Sequence, residues 1–104
     1  MGHQANVCMK AVVSILAVVT TFAVNAKTPE EIGALCFGCH NTGVGGAPKI
    51  GAKTEWEARA KTGVDAMVKI VIEGKGIMQK RGGTTLTDAE IKTVVEHMVK
   101  KAGL

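Results

Sequence analysis

The chain has 104 residues, a formal net charge of +4 and a sequence pI near 9.1. This length fits one domain and excludes multidomain and large α/β enzymes, and so modest and dispersed a positive charge does not indicate nucleic-acid binding. Hydrophobic residues make up 46% of the sequence but aromatic residues only 3%, with no Tyr. Because aromatic rings supply much of the core of most small domains, this sequence lacks a usual core component.

The N-terminal 26 residues have the pattern of a secretory signal peptide. Lys10 precedes an almost wholly apolar stretch over residues 11–24, and Ala26 ends a small-x-small sequence. A basic residue, an apolar run of roughly 7–15 residues and such an ending are typical of a cleavable signal. A membrane-spanning helix needs about 20 apolar residues, so retention as an uncleaved anchor is the less favoured alternative.

The signal divides the chain into residues 1–26 and a mature domain over residues 27–104. Met9, Lys10 and the apolar run form a complete signal by themselves, so we expect translation to start at Met9. The mature domain is expected in the periplasm, either free or associated with the membrane surface. An exported domain lies in an oxidising compartment.

Helix-start signals divide the mature domain into helical segments. In three places a Thr is followed three residues later by a Glu, the capping-box pattern that satisfies free amide groups at a helix N-terminus. These pairs begin at Thr28, Thr54 and Thr87. Together with the spacing of the apolar residues, they predict four helices, over about 28–37, 54–62, 64–73 and 87–101.

The last helix has the clearest amphipathic pattern, and two loops have none. Its apolar residues fall at i, i+3, i+4, i+7 and i+8 and form one stripe, made of Ile91, Val94, Val95, Met98 and Val99. The glycine-rich segments 41–52 and 74–85 are predicted to be loops without secondary structure. The fold class is therefore all-α, and because such long loops are uncommon in small domains, we expect something bound between them.

The sequence Cys36-Phe37-Gly38-Cys39-His40 is a C-x-x-C-H motif, the signature of c-type haem attachment. Two thiols three residues apart on a helical turn can both reach the haem vinyl groups, and the adjacent imidazole then lies under the porphyrin. A thioredoxin-like pair needs a βαβ context, a zinc site needs about four ligands, and a plain disulfide would not need the histidine. Haem attachment outside the cytoplasm agrees with the predicted signal.

A low-spin haem needs a second axial ligand, for which the mature domain offers three methionines and one further histidine. Met67 and Met98 lie in apolar stripes and are predicted core residues. His97 flanks the last stripe and is expected to face solvent, with ligation as a less favoured alternative. Met78 lies in the second loop outside any periodic pattern, so it is the predicted ligand.

The haem motif, the following segment 41–51 and Trp56 together resemble the cytochrome c5 group of small class I c-type cytochromes, and the resemblance covers residues 28–101. It implies a class I cytochrome c fold of about four short helices around one covalently bound haem c. It also implies iron ligation by Met78 and a Pro48 carbonyl that orients the axial His40. Trp56 is either near the haem edge or an ordinary core residue.

The sequence departs from that family in the second loop. Gln79 and Lys80 stand where the family usually has two prolines after the methionine, which predicts a more flexible loop and a weaker iron–sulfur bond. Some relatives have a cysteine pair around the segment before the last helix. Residues 82–87 contain none, so no disulfide is expected there.

The predicted function is that of a periplasmic single-electron carrier with His/Met axial ligation, not an enzyme. Its expected partners are redox proteins, with quinol–cytochrome reductase or another donor and a terminal oxidase or reductase as acceptor. We expect a monomer or weak dimer that binds no nucleic acid and is not stably inserted in a membrane. Cations in or near the loops either steer an acidic partner or are merely solvated: Lys49, Lys53, Lys75, Lys80 and Arg81. The alternatives are a haem-based sensor and a subunit of a larger respiratory oxidoreductase.

Overall fold

The computed structural model describes residues 13–20 and 26–104. Within these residues the chain is helical, with one isolated β-bridge between Lys75 and Met78. The helices are α1 Pro29–Ile32, α2 Ala34–His40, α3 Lys53–Ala60, α4 Val64–Glu73 and α5 Asp88–Lys101, with 3₁₀ turns at Val44–Gly46 and Lys80–Gly83. The all-α prediction is confirmed.

The predicted signal peptide lies largely outside the described residues, which exclude 1–12 and 21–25. Residues 13–20 have no helix or strand, and their large apolar side chains are exposed. None of the helices in the described part of the chain is long and apolar enough to cross a membrane.

Helices α4 and α5 carry most of the core and follow the prediction closely. Helix α5 begins after Thr87, whose hydroxyl accepts a 3.2 Å hydrogen bond from the Glu90 amide while the Glu90 carboxylate accepts a 2.8 Å bond from the Thr87 amide. This capping box is confirmed, as is the one at Thr28. The buried apolar side chains come from α3, α4, α5 and the residue after α5: Trp56, Met67, Val68, Ile91, Val94, Val95, Met98 and Ala102.

The predicted first helix is longer than expected and is broken in two. It ends at His40 rather than near Phe37, and Gly33 separates α1 from α2. A Cβ at Gly33 would lie 2.9 Å from Val94 Cγ1, so the missing side chain permits close packing of this helix pair against α5. The extension to His40 places the whole C-x-x-C-H motif on helix α2.

The prediction that Thr54 caps the second helix is wrong. Helix α3 begins one residue earlier, at Lys53, and the residue before it, Ala52, provides no side-chain cap. The Glu55 carboxylate instead accepts a 2.9 Å hydrogen bond from the backbone amide of Lys49. This bond ties the start of α3 to the preceding loop, and the box expected between Thr54 and Glu57 is absent.

The two loops are also more regular than predicted. Each contains a 3₁₀ turn, and in both turns residues with positive φ allow the chain to reverse tightly: Gly45 at 63° in the first, and Arg81 at 56° and Gly82 at 61° in the second. Glycine adopts such angles at no steric cost. The loops therefore have defined backbone paths, although no large side chain is buried in residues 34–52 or 74–87.

Candidate haem site

Helix α2 presents the two thiols of the motif. Cys36 and Cys39 are three residues apart, so their side chains lie on neighbouring positions of one helical face. Neither sulfur is in a disulfide with another described residue; Cys36 is half-buried against the core and Cys39 is exposed. Burial raises the pKa of the Cys36 thiol.

His40 ends helix α2 and is fixed by the first loop. Its Nδ1 lies 2.9 Å from the carbonyl oxygen of Pro48, which can only accept a hydrogen bond, so Nδ1 carries the donated proton. The backbone amide of Ile50 donates to the His40 carbonyl at 2.8 Å and holds the loop against the helix. With Nδ1 as the donor, Nε2 is the ring nitrogen available for a metal.

Trp56 supports this loop from the core. Its indole N–H donates a 2.8 Å hydrogen bond to the carbonyl of Lys49, next to Pro48, and its ring centroid lies 5.8 Å from that of His40. The side chain is buried. Trp56 is therefore a core residue that also borders the predicted axial histidine.

Met78 lies in a tight turn at the start of the second loop. The Lys75 amide donates to the Met78 carbonyl at 2.9 Å, and the Met78 amide donates to the Lys75 carbonyl at 3.0 Å. Gly74 precedes the turn at φ 81°, and a Cβ there would lie 2.8 Å from the Lys80 amide nitrogen. The half-buried Met78 side chain thus projects from a closed turn, not from a free loop.

The two loops flank helix α2 and approach each other. A Cβ on Gly82 of the second loop would lie 3.9 Å from Cys36 Sγ, and a Cβ on Gly45 of the first loop would lie 3.0 Å from Ile77 Cδ1. The structure therefore brings the segment of Met78 next to both the cysteine helix and the loop of Pro48.

Exposed apolar side chains surround this region. Leu35 on α2 is 74% exposed, Val44 in the first loop 58%, and Ile77 in the second loop 76%. Apolar surface of this kind is covered favourably by an apolar group. These features fit a covalently attached haem. The thiols of Cys36 and Cys39 can bond to it, His40 has a ring nitrogen available for iron, and the exposed apolar side chains can pack against the porphyrin.

The other candidate ligands lie elsewhere. Met67 and Met98 are buried in the core, as predicted. The expectation that His97 faces solvent is wrong, because only 12% of its side chain is exposed. Its Nε2 lies 3.4 Å from the Glu30 carboxylate, and its ring is tilted against Phe37 at a centroid distance of 6.0 Å. His97 thus joins α5 to α1 and α2.

Of the loop cations, Arg81 has a role that the sequence did not reveal. One of its guanidinium nitrogens donates to the Leu86 carbonyl at 3.1 Å and to the Asp88 carboxylate at 2.7 Å. Arg81 is therefore engaged within the domain. The only sequence signal for this is an acidic residue seven positions later, at the start of a predicted helix. The other four loop cations are exposed.

Comparison with known proteins places this chain among the cytochromes c. Residues 25–98 match the family described as cytochrome C oxidase, cbb3-type, subunit III. Cytochrome c-555 of Chlorobaculum tepidum is 42% identical over 71 residues, which cover 64% of this chain and 66% of that protein. Cytochrome c5 of Ectopseudomonas mendocina is 37% identical over 82 residues, covering 76% of this chain and 92% of that protein.

Two solved structures share the fold. A mono-haem ferrocytochrome c from Shewanella putrefaciens has a TM-score of 0.64 and 39% identity, covering 72% of this chain and 95% of that one. A chain from the electron transfer complex of nitrite reductase with cytochrome c has a TM-score of 0.64 and 40% identity, covering 64% and 83%. Fold and site thus define a c-type cytochrome. The chain belongs to the small class I cytochromes c and carries one covalently bound haem c.

Proposed function

We propose that this cytochrome is a periplasmic single-electron carrier in which Cys36 and Cys39 attach the haem and His40 and Met78 are the axial ligands. The observation that carries the proposal is the 2.9 Å contact between His40 Nδ1 and the Pro48 carbonyl. A ligating histidine characteristically donates its other ring nitrogen to a fixed acceptor. Pro48 supplies that acceptor from the first loop.

When bound, haem c supplies an iron that gains and loses one electron. The residues of this chain determine how that happens. His40 is held in one orientation, and Met78 is carried by a closed turn of the loop that borders Cys36. His/Met ligation raises the reduction potential relative to other ligand sets. With both axial positions taken by side chains, no position remains for a substrate, which favours a carrier over an enzyme.

The proposed partners are redox proteins that dock near the loops. The related cytochrome c in complex with nitrite reductase supports a reductase or terminal oxidase as acceptor, with quinol–cytochrome reductase or another donor. Four exposed cations, Lys49, Lys53, Lys75 and Lys80, stand beside the site and would attract an acidic partner. Under this proposal the rate of partner oxidation falls as ionic strength rises, and a rate independent of salt would exclude steering.

Export is the second part of the proposal. Between Val13 and Val19 the large apolar side chains are all more than three-quarters exposed, which supports their removal with a signal over residues 1–26. N-terminal sequencing of the protein from a periplasmic fraction should begin at Lys27. A protein that retains residues 1–26 and sediments with membranes would show an uncleaved anchor instead.

The ligand assignment is tested by the spectrum of the purified ferric protein. We expect a near-infrared methionine-to-iron charge-transfer band that is lost in Met78→Ala and retained in Met98→Leu, a volume-conserving change of a buried core methionine. Persistence of the band in Met78→Ala would exclude Met78 as ligand. A mass without added haem would contradict attachment at Cys36 and Cys39.

A subunit of a larger oxidoreductase is a second candidate, favoured by the match to an oxidase subunit family. Size-exclusion chromatography of the exported protein under native conditions distinguishes the two. Elution at the size of one mature domain supports the free carrier, and co-elution with other chains supports the subunit.

A haem-based sensor would require Met78 to leave the iron readily. The replacement of two prolines by Gln79 and Lys80 is the feature that favours it. Rapid and complete carbon monoxide binding by the reduced protein at neutral pH would support the sensor. Absence of binding would support the carrier.

A further inference from the structure

Arg81, three residues after Met78, has an unusual backbone conformation. Its φ of 56° makes it the one non-glycine residue with positive φ in the described part of the chain. Such an angle is uncommon for a residue with a side chain and persists only where surrounding interactions hold it. The following Gly82 and Gly83 also have positive φ, so three consecutive residues near the end of the loop adopt left-handed angles.

Hydrogen bonds around Arg81 close the segment that leads to helix α5. The Arg81 carbonyl accepts the amide of Thr84 at 3.1 Å and its hydroxyl at 2.7 Å. The Thr84 hydroxyl accepts the Leu86 amide at 3.3 Å. The Arg81 guanidinium reaches to the end of the same segment, where it donates hydrogen bonds to the Leu86 carbonyl and the Asp88 carboxylate.

The Arg81 guanidinium thus clamps the loop to Asp88, which stands at the start of a packed helix. Asp88 is the first residue of α5, and one turn later Ile91 is only 2% exposed in the core. The other end of the loop is held by the paired backbone bonds of Lys75 and Met78. The methionine turn follows Gly74, whose amide donates to the Ile70 carbonyl of α4 at 2.8 Å, and it is joined to α5 through Arg81.

We propose that Arg81 is a positioning residue that keeps Met78 in place by clamping the loop to Asp88. The inference rests on the proposed ligation by Met78. Movement of the methionine away from the site requires the segment between Lys75 and Arg81 to swing outward, which breaks the clamp.

The test measures the affinity of the ferric holoprotein for added imidazole. Binding is monitored through the loss of the near-infrared methionine-to-iron band. An external ligand binds in proportion to the open fraction of the loop. Because a charge-assisted, partly exposed ion pair is lost, Arg81→Ala should raise the imidazole affinity about three- to tenfold. Lys61→Ala is the control, since it removes an exposed cation outside both loops and should leave the affinity within about twofold.

Asp88→Asn provides the second variant should Arg81→Ala fold poorly. It keeps the side-chain shape, weakens the bond to Arg81, and should raise the affinity by a smaller factor. Combining Arg81→Ala with Asp88→Asn should add nothing beyond Arg81→Ala, because both changes remove one interaction.

Two results would overturn the inference and can be told apart. A wild-type protein with a methionine band, and imidazole affinities equal in all variants, would show that Met78 ligates without help from Arg81. Absence of the band in wild type would instead remove the ligation by Met78 on which the inference rests. An equal rise in Lys61→Ala would show that the effect is one of net charge and would also contradict the clamp.

Discussion

The two halves of this small domain are built in different ways. The helical half, formed by α3, α4 and α5, buries its own apolar side chains around Ile91. The loop half, residues 34–52 and 74–87, buries no large side chain and leaves Leu35, Val44 and Ile77 exposed beside two free thiols. We therefore propose that the haem is the large flat group that covers the apolar side chains of the loop half and replaces the aromatic residues that the sequence lacks.

The largest expected effect is that of removing the haem from the loop half. Ordering a residue costs roughly 1.5 kcal/mol, and the loop half buries too little apolar area of its own to offset this. A Cys36→Ala/Cys39→Ala variant should therefore lose the cooperative thermal unfolding transition of the holoprotein in calorimetry. A sharp transition in the haem-free variant would mean that the chain alone stabilises both halves.

The helical half should instead be sensitive to core substitutions. Ile91→Ala removes a side chain at the centre of the core and should lower the free energy of unfolding of the holoprotein by about 2–5 kcal/mol. Ile70→Ala, at a position on α4 that is 39% exposed, is the control and should cost less than about 1 kcal/mol. Equal losses in chemical denaturation would contradict the central place of Ile91.

A smaller effect is expected where the loop half passes into α5. Thr87→Ala removes the capping hydroxyl and should cost about 1 kcal/mol of unfolding free energy. Thr54→Ala tests the same residue type inside α3, where it caps nothing, and should change stability by less than about 0.5 kcal/mol. A larger loss at Thr54 than at Thr87 would reverse the assignment of the helix starts.

The methionine loop itself can be made stiffer. Gln79 has φ −63°, the angle that proline imposes, and its amide donates no backbone hydrogen bond among the described residues. Gln79→Pro should therefore raise the free energy of unfolding by about 0.5 kcal/mol, through a less flexible unfolded chain. A destabilised variant in thermal unfolding would show that the loop does not accept the family's usual residue.

The smallest effect is the pH dependence of the α5 cap. The pKa of Glu90 is lowered, chiefly because its carboxylate accepts the backbone amide of Thr87. A lowered pKa in the folded state stabilises the protein at neutral pH, and this contribution is lost as the pH falls through that value. The stability difference between wild type and Glu90→Gln should thus shrink in acid, and a difference that grows there would contradict the capping role.

Sequence patterns predicted the helical half well because its signals are local. The bounds of α4 and the capping box of α5 follow from Gly74, Thr87 and the apolar spacing. The Thr54 prediction was wrong because α3 begins at Lys53, where the backbone amide of Lys49 donates to the Glu55 carboxylate, a bond that the Thr54 capping pattern does not contain. His97 was misplaced for the same reason, since its partners Glu30 and Phe37 come from the other end of the chain.

The sequence predicts the residues of the candidate site but not the contacts that restrain them. The C-x-x-C-H motif predicts Cys36, Cys39 and His40, the position outside any apolar stripe and the resemblance predict Met78, and the resemblance alone predicts Pro48. The left-handed conformation of Arg81 and its bonds to Leu86 and Asp88 depend on how the loop returns to α5. The path of the loop depends on positive φ angles and on packing between distant residues, and the spacing of apolar residues in the sequence predicts neither.

Hydrogen exchange tests the division into two halves most directly. The exchange of backbone amides is compared between the holoprotein and the haem-free Cys36→Ala/Cys39→Ala variant. We expect protection throughout the helices and hydrogen-bonded turns of the holoprotein. In the variant, protection should be lost across residues 34–52 and 74–87 and retained in part in α4 and α5. Equal protection of the loop half with and without haem would contradict the account.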